Sequence, residues 1–216
     1  MAWADEKSFD LSGFDGVSAA EGIHVFITTG EEFEVIAESD DARQLKRLDL
    51  DVRRGTLRAR MDNKPLSLIR TKGWKVTVRV TMPSLVQAEA SSGAELVAEA
   101  MSSSALELES SSGSTLRVEA IDGGAISADV SSGAELIISG GSCKSLSADV
   151  SSGSSLDMEK VQCADVEIDA SSGSDASVHA DKLIDANASS GASIRVYGAH
   201  EDIKIETSSG GDIDFP

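Results

Sequence analysis

The chain is 216 residues long, 40% hydrophobic but only 4% aromatic, with a formal net charge of −18. That length allows one sizeable core, and no apolar run approaches the roughly 18 residues that a bilayer span needs, so no direct membrane span is expected. A surface this acidic repels phosphate backbones and anionic headgroups, which removes nucleic acid from the expected partners.

Residues 1–8 read as an N-terminal tail. Ala2-Trp3-Ala4 before Asp5 has the A-x-A form of a signal-peptidase site, although no charged n-region or apolar h-region precedes it. The pattern fits a mature exported chain with Met1 as an added start residue.

Residues 9–216 read as one domain. Its first part, 9–90, is strand-like without a clean period. Alternation runs through Ile23-His24-Val25-Phe26-Ile27, Phe33-Glu34-Val35-Ile36-Ala37, Leu57-Arg58-Ala59-Arg60-Met61 and Val76-Thr77-Val78-Arg79-Val80. Between them, Asp41 to Leu48 predicts a short helix, with Asp40 or Asp41 as its cap and Ala42, Leu45 and Leu48 on one face. Gly30 and Gly55 mark turns, and Pro83 marks a bend. We expect irregular opening coils and a cap, because the end of a strand stack exposes unpaired backbone.

From Ser91 the sequence repeats. Ser-Ser-Gly ends at Gly93, Gly113, Gly133, Gly153, Gly173, Gly191 and Gly210, at spacings of 20, 20, 20, 20, 18 and 19. Three residues after each glycine stand Leu96, Leu116, Leu136, Leu156, Ala176, Ile194 and Ile213; two later stand Ala98, Val118, Ile138, Met158, Val178, Val196 and Phe215. A second set precedes the next corner: Leu106, Ile126, Leu146, Val166, Ile184 and Ile203, then Leu108, Ala128, Ala148, Ile168, Ala186 and Ile205. Spacing of two is the strand period. Each repeat therefore predicts two short strands that bury their apolar face only by stacking on neighbouring copies. The expected class is all-β: a parallel β-helix, or β-solenoid, with coils of about 20 residues over 91–216. The glycine supplies a corner with positive φ, and the serine hydroxyls are expected to bond corner backbone or one another.

The order of short motifs resembles a known family, the bacterial putative auto-transporter adhesin, head GIN domain family. Phe14-Asp15-Gly16-Val17, Gly22-Ile23-His24-Val25, Leu57 after Arg53-Arg54-Gly55, Val78 to Leu85 with Pro83, and Ser91-Ser92-Gly93-Ala94 with its repeats carry the likeness over roughly 9–214. His24 stands where the family's Gly-Ile-Asn has Asn. The resemblance implies a parallel β-helix exported to the bacterial envelope: periplasm, outer membrane or cell surface. It implies no established activity.

No catalytic, cofactor-binding or metal-ligating residue is assigned, and no cofactor is expected. Seven Ser-Ser-Gly copies without a companion base are structural corners. His24, His179 and His200 lack ligand spacing and build no zinc signature with Cys143 and Cys163. A glycan-active β-helix enzyme, of the polysaccharide lyase or hydrolase kind, is the alternative reading. It would draw on stacked acids such as Asp129, Asp149, Glu167 and Asp169, but basic residues are few and only Trp3, Trp74 and Tyr197 could stack strongly on a sugar ring. The preferred expectation is a non-enzymatic structural or adhesive module whose partner is a surface glycan or protein.

Charge is uneven along the chain. Of 37 acidic and 19 basic residues, 22 and 6 lie from Ser91 onward, a net of −16; the remaining 15 and 13 give −2 for 1–90. Arg53, Arg54, Arg58, Arg60, Lys75 and Arg79 would sit toward one end, a polarity that favours homo-oligomer contacts through the solenoid ends. Cys143 and Cys163 occupy one repeat position in consecutive coils. Parallel stacking puts their Cα atoms about 4.8 Å apart, within disulfide range. In-register neighbours, however, point their Cβ atoms the same way, which slightly favours two adjacent unbonded thiols; the disulfide, favoured by an oxidising compartment and by an irregular corner, is the close alternative.

Overall fold

The computed structural model describes residues 5–62 and 75–216; Ala2-Trp3-Ala4 and Trp74 lie outside them. The N-terminal elements are β1 (Asp5–Phe9), β2 (Gly16–Ala19), β3 (His24–Thr29), β4 (Glu34–Ser39), α1 (Ala42–Leu45), β5 (Leu48–Arg53), β6 (Thr56–Met61) and β7 (Val76–Met82). The repeats follow as β8 (Gln87–Ala90), β9 (Glu95–Ser110), β10 (Thr115–Val130), β11 (Glu135–Ile138), β12 (Gly141–Val150), β13 (Ser155–Ala170), β14 (Asp175–Ser189), β15 (Ser193–Tyr197), β16 (Asp202–Ser208) and β17 (Asp212–Asp214).

The repeats wind as a parallel β-solenoid with residues twenty apart in register. Leu96, Leu116, Leu136 and Leu156 are successive partners, and all four are buried. The interval of 18 before Gly191 is absorbed by register shifts between Met158 and Asp165, away from the Ser-Ser-Gly corner. The expectation of two strands per coil needs revision. In β9 the alternation breaks at Glu99-Ala100 and again after Met101, leaving three inward-facing stretches. The third ladder includes Met101, Ile121 and Val161. In the coils of Met101 and Ile121 this stretch has a single inward side chain, which gives no period-two signal.

At the corners φ is positive at the glycine and also at the preceding serine, as at Ser132 (57°) and Gly133 (69°). The Gly113 amide donates to the Ser132 carbonyl one coil on, at 3.1 Å, and the bond recurs from Gly133 to Ser152 and from Gly153 to Ser172. The corner serines were expected to use their hydroxyls. Instead the residue after the glycine turns inward and does so: Ser114 Oγ donates to the Ala90 carbonyl, Ser154 Oγ to Val130 and Ser174 Oγ to Val150, at 2.8–2.9 Å. Alanine fills the same slot at Ala94, Ala134 and Ala192, where no hydroxyl needs a partner.

The N-terminal part does not stack in chain order. β2 lies between β6 and β8, and β3 between β7 and β9, all parallel. The chain thus lays down the β2–β3 layer, builds the end of the rod, then crosses that layer through Pro83 to start β8. The cap is antiparallel: β4 pairs with β7, β1 with β4, and β5 with β6. Residues 5–8, assigned to a tail on sequence, continue with Phe9 as an end strand; four exposed residues in five hide its pairing from hydropathy. The predicted helix is shorter than 41–48. Asp41 caps it by accepting from the Arg43 amide at 2.9 Å, and it ends where Leu48 enters β5.

Cys143 and Cys163 are register partners with Cα atoms 4.4 Å apart, and they form a disulfide. The expectation of unbonded thiols is overturned. Both stand in register between β12 and β13, so the in-register alignment does not prevent the bond. Ile203, Ile205 and Phe215, expected inside, are 54%, 47% and 39% exposed. They belong to the last coil, which has a neighbour on one side only.

Candidate functional site

One side of the rod carries a groove of about 460 Å³. Its floor follows from register. Ala105, Ala125, Ser145, Asp165 and Leu183 are successive outward partners, and the first three are small. Four inter-coil steps of about 4.8 Å give a trough of roughly 19 Å. Leu106, Ile126, Leu146 and Val166 back it from the core. Ser127 and Ser147 line it toward the middle, Glu167 and Asp185 toward the C-terminal end. Leu183 remains 41% exposed there, one of the few large apolar side chains on the surface. The groove therefore combines an apolar floor with polar edges, the composition of a contact surface for an extended chain.

Beside it runs a row of carboxylates. Glu89, Glu109, Asp129, Asp149 and Asp169 are in-register partners on consecutive strands. The stacked acids expected at Asp129 and Asp149 are thus brought together, and Glu167 with Asp169 joins the same face. Partial burial, reinforced by neighbouring carboxylates, raises the pKa of Glu109 and of Asp149 above the ordinary carboxylate values. Lys204 Nζ donates to Asp185 Oδ2 at 2.7 Å. That hydrogen bond raises the lysine pKa above its ordinary value.

The other chemical candidates are dispersed. His24 Nδ1 lies 2.7 Å from Glu95 Oε2, His179 Nε2 lies 3.1 Å from Asp181 Oδ1, and His200 packs on Phe215. Among the described residues, no group of three or more His, Cys, Asp or Glu is arranged to hold a metal ion. Tyr197 closes β15, away from the groove lining. Sequence reasoning missed the groove because its floor is made of Ala and Ser facing outward. Such residues carry no hydropathy signal; only the threefold recurrence of a small residue at 105, 125 and 145 could have indicated it.

The basic residues do gather at the N-terminal end, but most are neutralised. Arg53 and Arg58 pair with Asp51, Arg60 with Asp49 and Arg79 with Glu38. These pairs leave the net charges as counted, −2 for 1–90 and −16 from Ser91 onward, because the partner carboxylates are already included. No helix among the described residues is long and apolar enough to cross a membrane.

The same architecture recurs in solved structures at low identity. A "putative adhesin" from Bacteroides fragilis superposes with a TM-score of 0.89 at 14% identity, covering 99% of this chain and 97% of that one. A "putative lipid binding protein" from Parabacteroides distasonis gives 0.73 at 14%, covering 98% and 97%. A "putative adhesin" from Parabacteroides merdae gives 0.72 at 12%, covering 98% and 96%. No curated protein matches the chain. The Gly22-Ile23-His24 triplet is itself a solenoid corner: Gly22 has φ 73°, Ile23 points into the core, and His24 faces the next coil. With the family model matching residues 13–200, the chain belongs to the family described as putative auto-transporter adhesin, head GIN domain.

Proposed function

We propose that the chain is a non-enzymatic adhesive module of the bacterial cell envelope, and that it holds an extended surface glycan or polypeptide along the lateral groove. The observation that carries this reading is the trough whose floor runs from Ala105, Ala125 and Ser145, all small, to Asp165 and Leu183, built by the register itself. A linear polymer with a repeat along its length matches a linear site, and a rigid rod presents that site without ordering cost on the protein side. The buried disulfide between Cys143 and Cys163 fits an oxidising compartment outside the cytoplasm. An enzymatic reading would draw on Glu167 and Asp185 in the groove, and the Asp185 carboxylate already accepts from Lys204.

The test is a panel of immobilised bacterial and host glycans and extracellular matrix proteins, probed with the wild type and with Ala125→Trp. The exposed Ala125 side chain sits mid-groove, so the indole fills the trough without entering the core. Binding that falls at least tenfold in the variant, with unchanged melting, supports the groove as the contact. Binding that survives unchanged overturns it.

A further inference from the structure

At the N-terminal end of the same face, a second cleft of about 550 Å³ interrupts the rod. Its origin is a notch in one layer. Gly16 and Ser18 of β2 lie between Thr56 and Arg58 of β6 on one side and Gln87 and Glu89 of β8 on the other. Over Gly16 the two walls meet, since a Cβ there would lie 3.0 Å from Gln87 Oε1 and 3.1 Å from Thr56 Oγ1; the cleft opens over Ser18, which lines it with Arg53, Arg54, Arg58 and Glu89.

The walls differ in charge. The β6 wall and the hairpin leading into it carry Arg53, Arg54 and Arg58, of which Arg53 and Arg58 share the single carboxylate of Asp51. Arg54 has no ion pair among the described residues and is exposed. The opposite wall offers Glu89 and Gln87, hydrogen-bond acceptors, and Thr56 Oγ1 already donates to Gln87 Oε1 at 3.1 Å. This is a local reversal on a molecule of net charge −18. At physiological ionic strength the screening length is about 8 Å, so Asp129 and the acids beyond it are largely screened, and within the cleft three arginines stand against Asp51 and Glu89.

Arg54 and Gly55 form the two-residue β5–β6 turn with φ of 52° and 84°. The same pair of left-handed residues recurs at Glu21-Gly22 and at the Ser-Ser-Gly corners, and here the turn leaves Arg54 exposed at the hairpin tip.

We infer that this notch binds one acidic sugar residue of an anionic polysaccharide, with its carboxylate against Arg54 and Arg53 and its hydroxyls donating to Glu89 and Gln87. An anion alone would leave the acceptor wall unused, and a neutral sugar would leave Arg54 unpaired; a sugar acid satisfies both. The site stands apart from the lateral groove, so each is tested by its own variant.

The experiment is calorimetric titration of the intact protein with trigalacturonate, galactotriose, triglutamate and inorganic sulfate. Trigalacturonate is expected to bind at least tenfold more tightly than galactotriose. Arg54→Asn is expected to remove that difference while its melting temperature stays equal or rises, since Asn suits the turn. Glu89→Gln is expected to weaken trigalacturonate less than Arg54→Asn does. Equal affinity for acidic and neutral sugars, no binding of either, or wild-type affinity in Arg54→Asn overturns the inference. Sulfate or triglutamate binding as tightly as trigalacturonate overturns the saccharide assignment.

Discussion

Replacing Leu136 by Ala perturbs the middle of the longest leucine ladder. Leu136 is fully buried, with Leu116 and Leu156 as its register partners above and below. Removing the equivalent of three methylenes forfeits about 2.4 kcal/mol of burial at about 0.8 kcal/mol each. The neighbours cannot close the gap by moving along the rod, because backbone hydrogen bonds fix the coil spacing. If roughly half of the ~80 Å³ vacated persists, the cavity adds about 1 kcal/mol at ~24 cal/mol per Å³. The expected loss is about 3–3.5 kcal/mol, read as a shift in urea midpoint followed by far-UV circular dichroism. Lys144→Ala, at an exposed position, is the control and should shift stability by less than about 0.5 kcal/mol. A Leu136→Ala loss below about 1 kcal/mol would refute the argument that the ladder is close-packed and unable to collapse.

Other outcomes follow from the corners, the acidic row and the disulfide. Glu109 and Asp149 have folded pKa values raised above their unfolded ones by burial and neighbouring carboxylates. The folded state then binds more protons between the two values, so stability increases as pH falls from neutrality through that window. Asp41, lowered to about 2, and Asp51, also lowered, act oppositely and are lost below about pH 4. Thermal melts from pH 7 to 3 should therefore pass through a maximum on the acid side, and Asp149→Asn should raise the pH 7 value and flatten the slope. Reduction of the Cys143–Cys163 bond, which closes a loop of sequence separation 20, should lower stability by about 3 kcal/mol on the chain-entropy model; thiol titration of the unreduced, unfolded protein should find no free thiol. Gly133→Ala meets no atom within 4 Å and should lose about 1–2 kcal/mol from positive φ alone. Gly124→Ala would put Cβ 2.1 Å from the Ser104 carbonyl oxygen and should lose more, with measurable distortion of the coil.

The regular coils were legible because the corner and the two-residue alternation repeat together. The positions of Leu96, Leu116, Leu136 and Leu156 after their glycines were enough to place them in one ladder. The layering of the first 90 residues was not legible. Nothing local in Val17 or Val25 says that β6 and β7, forty to fifty residues later, will stack on the far side of β2 and β3. That order is set by which strand edge is still unpaired when the later strands arrive. The inward serine at 114, 154 and 174 was masked by the more frequent Ser-Ser-Gly beside it. The candidate sites were the least legible part, because the groove depends on small side chains being aligned and the notch on Ser18 lying between taller neighbours. Both are relations between residues distant in sequence.

The most direct test of the functional reading is a methyl spectrum of the protein with labelled alanine and leucine, recorded with and without the tightest-binding polymer from the surface panel. The account predicts shift changes at Ala105, Ala125 and Leu183, which line the groove, with Leu136 and Ala134 in the interior unmoved. Changes confined to other faces of the rod, or none at these three methyls under saturating ligand, would contradict it.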